Sequence, residues 1–411
     1  MKVLLVSLEY PPYTFGGVGS HVFRLSRALV REGIEVAVLS PGPSRGEQSS
    51  EDGVRRFTVP VGEVPGVRLL SLAFRVPSAV RSVRKEFPFD LIHSHFGPCA
   101  FLGRREIRGT PLVETAHGTH LGELQALAPL GRLLPREIAG KYTVYPLLSI
   151  LDLLSYAKAS LIIAVSELAR EEIARYGKGL LKKVVVVPNG IELSEFPLEV
   201  SPRIGAQDRV DCLAVAFMQA RKGLDYLVEA AGHLKDQNIR ITVVGDGPHF
   251  LRLKSRTERL ALTDKIAFTG RLDRAEVRER FRSAQMFVLP SLWEGQGIVF
   301  LEAMASGLPI VATDIPGVRG MLRDGENALL VPPRDSRSLA LAIEKLASSP
   351  ALRLKLASEG LARVREYDWN HLVKRIVSLY SSLLKGKKDE KQSSRPVDAH
   401  EISLRMRKNN S

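Results

Sequence analysis

The sequence predicts an α/β protein built of two Rossmann-like, doubly wound domains in tandem, with a cleft between them. Three observations carry this. The chain has 411 residues, a length that suits two domains of roughly 150 to 200 residues each. Short apolar runs alternate with stretches of helical periodicity, the pattern of β-α-β units around a parallel sheet. The alternation restarts after "IELSEFPLEVSPRIGAQ", a segment rich in proline and charge that reads as a linker.

The first run, "VLLVSL" (Val3–Leu8), is short and apolar, hence a buried strand. A proline- and glycine-rich loop follows. Then Val18, Val22, Leu25, Leu29 and Val30 recur at helical spacing, and Gly33 stops the helix. Further strands read at "IEVAVLS", "DLIHSH", "TPLVETAHG", "ASLIIAVS" and "KKVVVVPNG". Past the linker they read at "CLAVAFM", "IRITVVG", "KIAFTG", "MFVLP", "LPIVAT" and "ALLVP". Helices close the chain over about Ser336–Leu384. These signals divide it into a first domain at 1–195, a second at 196–368, a terminal helix at 369–385 and a mobile basic tail at 386–411.

Hydrophobic residues make up 45% and charged residues 25% of the chain, enough to bury a core. Cys99 and Cys212 are its only cysteines, so a disulfide framework is excluded and a reducing cytosol fits. No apolar run reaches the roughly 20 residues of a membrane-spanning helix. Glu9 and two prolines interrupt the apolar start, which therefore is not a signal peptide. The net charge of +14 favours anionic partners. Nucleic acid is not among them, because no Walker loop and no aromatic-rich basic motif is present. The leucine-rich segment Leu121–Ser160 carries Arg132, Arg136 and Lys141. It reads as amphipathic helices packed on the first domain, or as a surface that meets lipid phosphate. With the basic stretch Arg75–Lys85 and the tail, it makes an anionic membrane surface a candidate partner.

Several motifs fall at strand ends, where open α/β sheets hold ligands. "GGVG" (Gly16–Gly19) opens a helix, so its unpaired amides make an anion site. It is a poor dinucleotide fingerprint: seven residues separate it from the strand, and the second strand ends in Ser40 and Pro41 rather than an acid. His93 and His95 lie two apart on one strand, and His117 and His120 follow another. Four histidines invite zinc, yet no carboxylate or thiolate stands at ligand spacing, so no metal is expected. Arg221 and Lys222 precede a helix, where cations grip phosphate. "VVGDGP" (Val243–Pro248) is a strand ending in a glycine turn.

The densest motif is "PSLWEGQGIVFLEAMASGLPIVATD" (Pro290–Asp314). Glu294 falls in a loop and Glu302 about one and a half turns into the following helix. The amides of Gly297, Ile298 and Val299 sit at the helix start and suit a diphosphate or a polar sugar edge. The two acids accept hydrogen bonds from hydroxyls. Together they describe a site for a phosphorylated polyol such as a sugar nucleotide.

These residues resemble the retaining glycosyltransferases of the GT-B fold, family four. The run "EGQGIVFLEAMASGLPIV" is similar to that family's E-x7-E region. "PPYTFGGVGSHVFRLSRALVREGIEVAVLS", "VSELAREEI", "VPNGIE", "ARKGLDYLVEA", "VVGDGP" and "FTGRLDRAEV" extend the likeness over nearly all of the ordered chain. The resemblance implies a donor nucleotide on the second domain, an acceptor on the first, and a last helix crossing back. It implies that Glu302 binds ribose and that Glu294 with the amides after it holds the donor sugar. Lys222, aided by the Gly16–Gly17 loop, neutralises the diphosphate, and His117 lies beside the anomeric carbon. Neither cofactor nor metal is implied. The substrate is a UDP- or GDP-sugar, and the acceptor a hydroxyl of a glycan or a lipid-linked molecule, in the cytoplasm or at the inner face of the membrane. Two positions depart from the pattern. Ala216, Phe217 and Met218 stand where Gly-Arg-Leu is usual, leaving Arg221 or Arg271 to replace the diphosphate arginine. Gln296 stands where an aromatic is usual, which implies an altered sugar choice. The first departure also motivates a second reading, a sugar-nucleotide or glycan binder with impaired catalysis.

Overall fold

The computed structural model describes residues 1–12, 16–42, 46–61, 68–95, 97–127, 135–200, 209–234 and 238–393. The first domain holds β1 (Lys2–Ser7), α1 (Gly17–Arg31), β2 (Glu35–Pro41), β3 (Gly46–Glu51), β4 (Val54–Val59), α2 (Arg68–Glu86) and β5 (Leu91–His95). It continues with α3 (Arg104–Ile107), β6 (Leu112–Ala116), α4 (His120–Leu127), α5 (Pro135–Lys158), β7 (Leu161–Ala164), α6 (Glu167–Tyr176) and β8 (Val184–Val186). Its strands lie in the order β3-β4-β2-β1-β5-β6-β7-β8, and all pair in parallel except β3. The β3–β4 hairpin is absent from the sequence reading. Arg55 and Arg56 break the apolar run of β4, and "GEQSSE" of β3 is wholly polar, as an edge strand tolerates.

The second domain holds β9 (Val210–Val215), α7 (Leu224–His233), β10 (Ile239–Val244), α8 (Phe250–Arg259), β11 (Ile266–Gly270), α9 (Arg274–Ser283) and β12 (Met286–Leu289). There follow α10 (Ile298–Ala305), β13 (Ile310–Thr313), α11 (Pro316–Arg319), β14 (Ala328–Val331), α12 (Ser336–Ala347) and α13 (Pro350–Val364). Six parallel strands run in the order β11-β10-β9-β12-β13-β14. Order reverses between β9 and β12, and such a switch point opens a crevice at the carboxyl ends of the strands.

The last helix, α14 (Trp369–Ser393), returns to the first domain. Trp369, Leu372, Val373, Ile376 and Tyr380 join Val22, Leu25 and Leu29 of α1 in one core over β1. The backbone of Ile191 is held at both ends of the crossing, donating to Tyr367 O at 2.8 Å and accepting from Trp369 N at 3.1 Å. The helix does not stop near 385 as expected but continues to Ser393, past Gly386, since that residue weakens a helix without ending it and the run holds no proline. The rest of the basic tail, 394–411, lies outside the described residues. Among the described residues no helix is long and apolar enough to cross a membrane.

Candidate active site

The carboxyl edges of the two sheets face each other, and most of the residues singled out by sequence meet there. On the second domain, the turn after β9 carries Lys222 and the loop after β12 carries Glu294. Lys222 Nζ lies 2.6 Å from Glu294 Oε1, Ser291 Oγ donates to the same oxygen at 2.7 Å, and Arg221 reaches Glu294 Oε2 at 3.4 Å. Arg221 also pairs with Glu123 of α4 at 3.5 Å and lies over the Trp293 ring. Burial pushes the Glu294 pKa up, but Lys222 and Arg221 outweigh it and hold the carboxyl below its ordinary range. Burial lowers the Lys222 pKa against the pull of Glu294. At 2.6 Å the pair lies just below the roughly 2.7–2.9 Å usual for a charge-assisted N–H···O bond.

At the other end of α10, Glu302 pairs with Arg24 of α1 at 3.4 Å, and Arg24 also meets Glu195 at 3.3 Å. Burial raises the Glu302 carboxyl above its ordinary range, against Arg24. Arg24 is a residue that sequence reading missed. Its Nε and Nη1 are buried without a hydrogen-bond partner among the described residues, an arrangement that leaves donors for a ligand oxygen. The available signal was an arginine one position before Leu25, inside the buried stripe of α1.

Gly297 (φ +81°) starts α10 with no side-chain cap, which leaves the amides after it open to an anion. Gly17 faces this start so closely that a Cβ there would lie 3.6 Å from Ile298 Cδ1. The Gly16–Gly19 loop differs from expectation in one respect. Glu9 Oε2 accepts from Gly16 N at 3.0 Å and Gly19 N at 3.1 Å, so these two amides already hold an internal carboxylate.

His117 follows β6 and receives the second domain. A Cβ on Gly295 would lie 1.8 Å from His117 O, so only glycine lets the two backbones approach this closely. Three hydrogen bonds fasten the contact: Ser166 Oγ to Gly295 O at 2.6 Å, Trp293 Nε1 to Glu172 Oε1 at 3.0 Å, and Asn189 N to Gln296 Oε1 at 2.5 Å. Gln296 is buried, with its amide nitrogen 3.5 Å from Asn189 O. Its polar group thus bridges the domains through Asn189.

The histidine group is regrouped by the fold. His120 leaves it for Asp152, 2.9 Å away, and that carboxylate outweighs burial to raise the His120 pKa. His21 of α1 takes its place. His21, His95 and His117 each offer a nitrogen within 4.8 Å of the others, a trio that could hold a divalent ion. The sequence reading found no such cluster because His21 is distant in the chain. Burial pushes His93 and His117 down to about 3 and lowers His21 and His95 as well, so the group is uncharged near neutrality. In the unfolded chain these imidazoles titrate near 6.5. Stability should therefore hold above about pH 6.5 and fall as pH drops towards 3, by up to about 1.4 kcal/mol per pH unit for each imidazole. Urea unfolding at pH 7 and pH 5 measures this, and a His93→Gln variant should lose less stability on acidification than the parent.

Of the two arginines proposed for the diphosphate, Arg221 is at the site beside Lys222, whereas Arg271 is exposed just past β11. Phe217 is exposed and supplies no charge.

Residues 203–363 match the profile "Glycosyl transferases group 1", and residues 15–195 match "Glycosyltransferase Family 4". The chain is 29% identical over 392 residues to the phosphatidyl-myo-inositol mannosyltransferase of Mycobacterium leprae, covering 90% of this chain and 95% of that one. It is 27% identical over 436 residues to a glycogen synthase of Mycobacterium tuberculosis, covering 98% and 99%. Among solved structures, sucrose-phosphate synthase from Thermosynechococcus elongatus superposes with a TM-score of 0.80 at 22% identity, covering 94% of this chain and 99% of that one, and so shares the fold. With two parallel sheets closing on one cleft and both halves matched along nearly their whole length, the chain belongs to the GT-B glycosyltransferases of the group 1, family 4 type.

Proposed function

We propose that this glycosyltransferase moves a sugar, with retention of configuration, from a UDP- or GDP-sugar to a hydroxyl acceptor. The observation that carries the reading is the Lys222–Glu294 pair with Arg221 beside it, set against His117 in a closed cleft. As the bond from C1 to the phosphate oxygen breaks, negative charge grows on the diphosphate and positive charge on the sugar ring. Lys222, Arg221 and the first amides of α10 stabilise the leaving group. Glu294 turns its carboxylate to a sugar hydroxyl once Lys222 engages phosphate, and acts as a positioning residue. The acceptor oxygen forms the new bond to C1 from the leaving-group face, and its proton passes to the departing phosphate oxygen. His117, uncharged, accepts or donates a hydrogen bond beside the anomeric carbon. The Gly16–Gly17 loop adds its amides when Glu9 gives way to phosphate.

Glu302 binds the ribose hydroxyls in this reading, so Glu302→Ala should weaken nucleoside diphosphate binding about tenfold or more. A thermal-shift series with UDP and GDP measures it, since a ligand of the folded state raises Tm. Equal shifts in variant and parent for both nucleotides would overturn the assignment. Catalysis needs no metal here, so incubation with EDTA should leave turnover unchanged. Loss on chelation and recovery with Zn²⁺ would instead make His21, His95 and His117 a metal centre.

A second reading, an impaired sugar-nucleotide binder, draws on Phe217. Release of free sugar from the correct donor by the parent protein would exclude it. The acceptor hydroxyl belongs to a glycan or a lipid-linked molecule. Similarity to the phosphatidyl-myo-inositol mannosyltransferase of Mycobacterium leprae favours the latter, presented at an anionic membrane surface on the cytoplasmic side.

A further inference from the structure

Among the described residues, the outer face of α5 is largely apolar and faces solvent, with Thr143 exposed among the apolar side chains. Leu148, Leu151, Ser155 and Tyr156 are buried against the domain, while Ile138, Tyr142, Leu147, Ile150 and Leu153 point away, with Tyr142 70% and Ile150 53% exposed. Exposed Pro146 falls on the same stripe, at the i, i+4 spacing of a single helical face. A soluble helix normally keeps charges there.

The stripe does not stand alone. Leu148 and Leu151 of α5 pack with Leu69 and Ala73 of α2, so the two helices lie side by side on one face of the sheet. Phe74 of α2 is 64% exposed and stacks on Phe101 at 4.5 Å. From Phe74 the same face of α2 runs on through Ser78 and Arg81 to Lys85, one turn at a time. These three, with Ser82, Arg84, Arg105 and the acid Glu106, line an open depression of about 500 Å³. Arg81 is paired with Glu106 and Arg84 donates to Glu106 O and Thr110 Oγ1, but neither Lys85 nor Arg105 has an ionic partner among the described residues. An exposed apolar band bordered by unpaired cations is the pattern of a surface that enters a lipid interface and meets headgroup phosphate.

We propose that the outer faces of α5 and α2 dock the protein on an anionic bilayer, with Ile150, Leu153, Leu147 and Phe74 in the acyl boundary and Lys85 and Arg105 on lipid phosphate. This rests on the membrane part of the proposed function and assigns it to residues. The charge argument selects lipid over a second copy of the chain, because two copies would bring the unpaired cations of both together. The placement also suits the reaction. α5 packs on α4, and α4 touches the donor side of the cleft through Glu123–Arg221 and through Ala126 O, which accepts from Arg334 at 3.1 Å. A lipid-linked hydroxyl would thus be presented near the cleft mouth.

Vesicle flotation of the full chain tests this, with phosphatidylcholine alone and with phosphatidylcholine and phosphatidylglycerol in a two-to-one ratio. The parent should float with the anionic vesicles only. Ile150→Glu/Leu153→Glu and, separately, Lys85→Glu/Arg105→Glu should each reduce flotation about tenfold or more. Both sit on exposed positions, and an unchanged UDP or GDP thermal shift shows that they fold. No flotation of the parent, equal flotation with both vesicles, or variants that float like the parent would overturn the proposal. So would light scattering that shows a dimer dissolved by Ile150→Glu/Leu153→Glu. The nucleotide shift separates the two readings. If it persists while flotation fails, the docking face falls and the transferase stands; if flotation persists while no nucleotide shifts the parent, the reverse holds.

Discussion

Lys222→Ala should lower kcat by about two to three orders of magnitude, some 2.7–4 kcal/mol of transition-state stabilisation. Lys222 is buried and held by Glu294 at 2.6 Å, so in the proposed mechanism its charge is already in place when the donor binds and only Glu294 has to turn. The substitution has a second consequence. It leaves Glu294 buried with Arg221 at 3.4 Å and Ser291 at 2.7 Å as its remaining partners. Removing one member of a buried pair commonly costs about 3–5 kcal/mol, and Arg221 should reduce that cost here. The two effects can be separated. Lys222→Ala/Glu294→Gln removes the stranded charge and should recover Tm, while kcat stays low. Recovery of both would mean that Lys222 serves only to neutralise Glu294. Single-turnover kinetics alongside calorimetric melting decides between these outcomes.

Gly295→Ala should lower kcat/KM about a hundredfold by forcing the two domains apart. Its Cβ would lie 1.8 Å from His117 O and 2.8 Å from His117 C, against an ordinary contact that begins at 3.4 Å. Both neighbours are backbone, so no side chain can swing aside. The loop must retreat by about 1.6 Å, the difference of those two distances, and the domains open with it. Lost with the contact are the Ser166–Gly295 and Trp293–Glu172 hydrogen bonds. A misplacement of about 1 Å at reacting groups costs on the order of a hundredfold. Steady-state kinetics measures the loss, and solution scattering should show a wider separation of the two domains. A variant within a few-fold of the parent would mean that the closed arrangement is not the reactive one.

Parts of the site were legible because their signal is local. Glycine before a helix, a cation pair before α7 and two acids eight residues apart each report their setting through a few neighbours. Lys222 accordingly precedes α7, Gly297 opens α10 and Glu302 lies about one and a half turns into it, the local positions that the reading gave them. Signals that needed distant partners were lost or misread. Arg24 looked like an ordinary helix residue until Glu302 and Glu195 closed on it. Gln296 showed only a polar group in place of an aromatic, and the bond of its amide to Asn189 across the cleft needed the fold to appear. The polar β3–β4 edge gave no apolar alternation to read.

The order of apolar runs and helices along the chain determined two wound sheets and the motifs at their carboxyl edges, since burial periodicity and turn chemistry act within a few residues. Only the tertiary structure decided which histidines gather, which carboxylate caps α1, and how the domains close. Those outcomes depend on contacts across about twenty to nearly three hundred positions, such as His95 with His117, Trp293 with Glu172 and Tyr380 with His93, and no local pattern encodes such a distance.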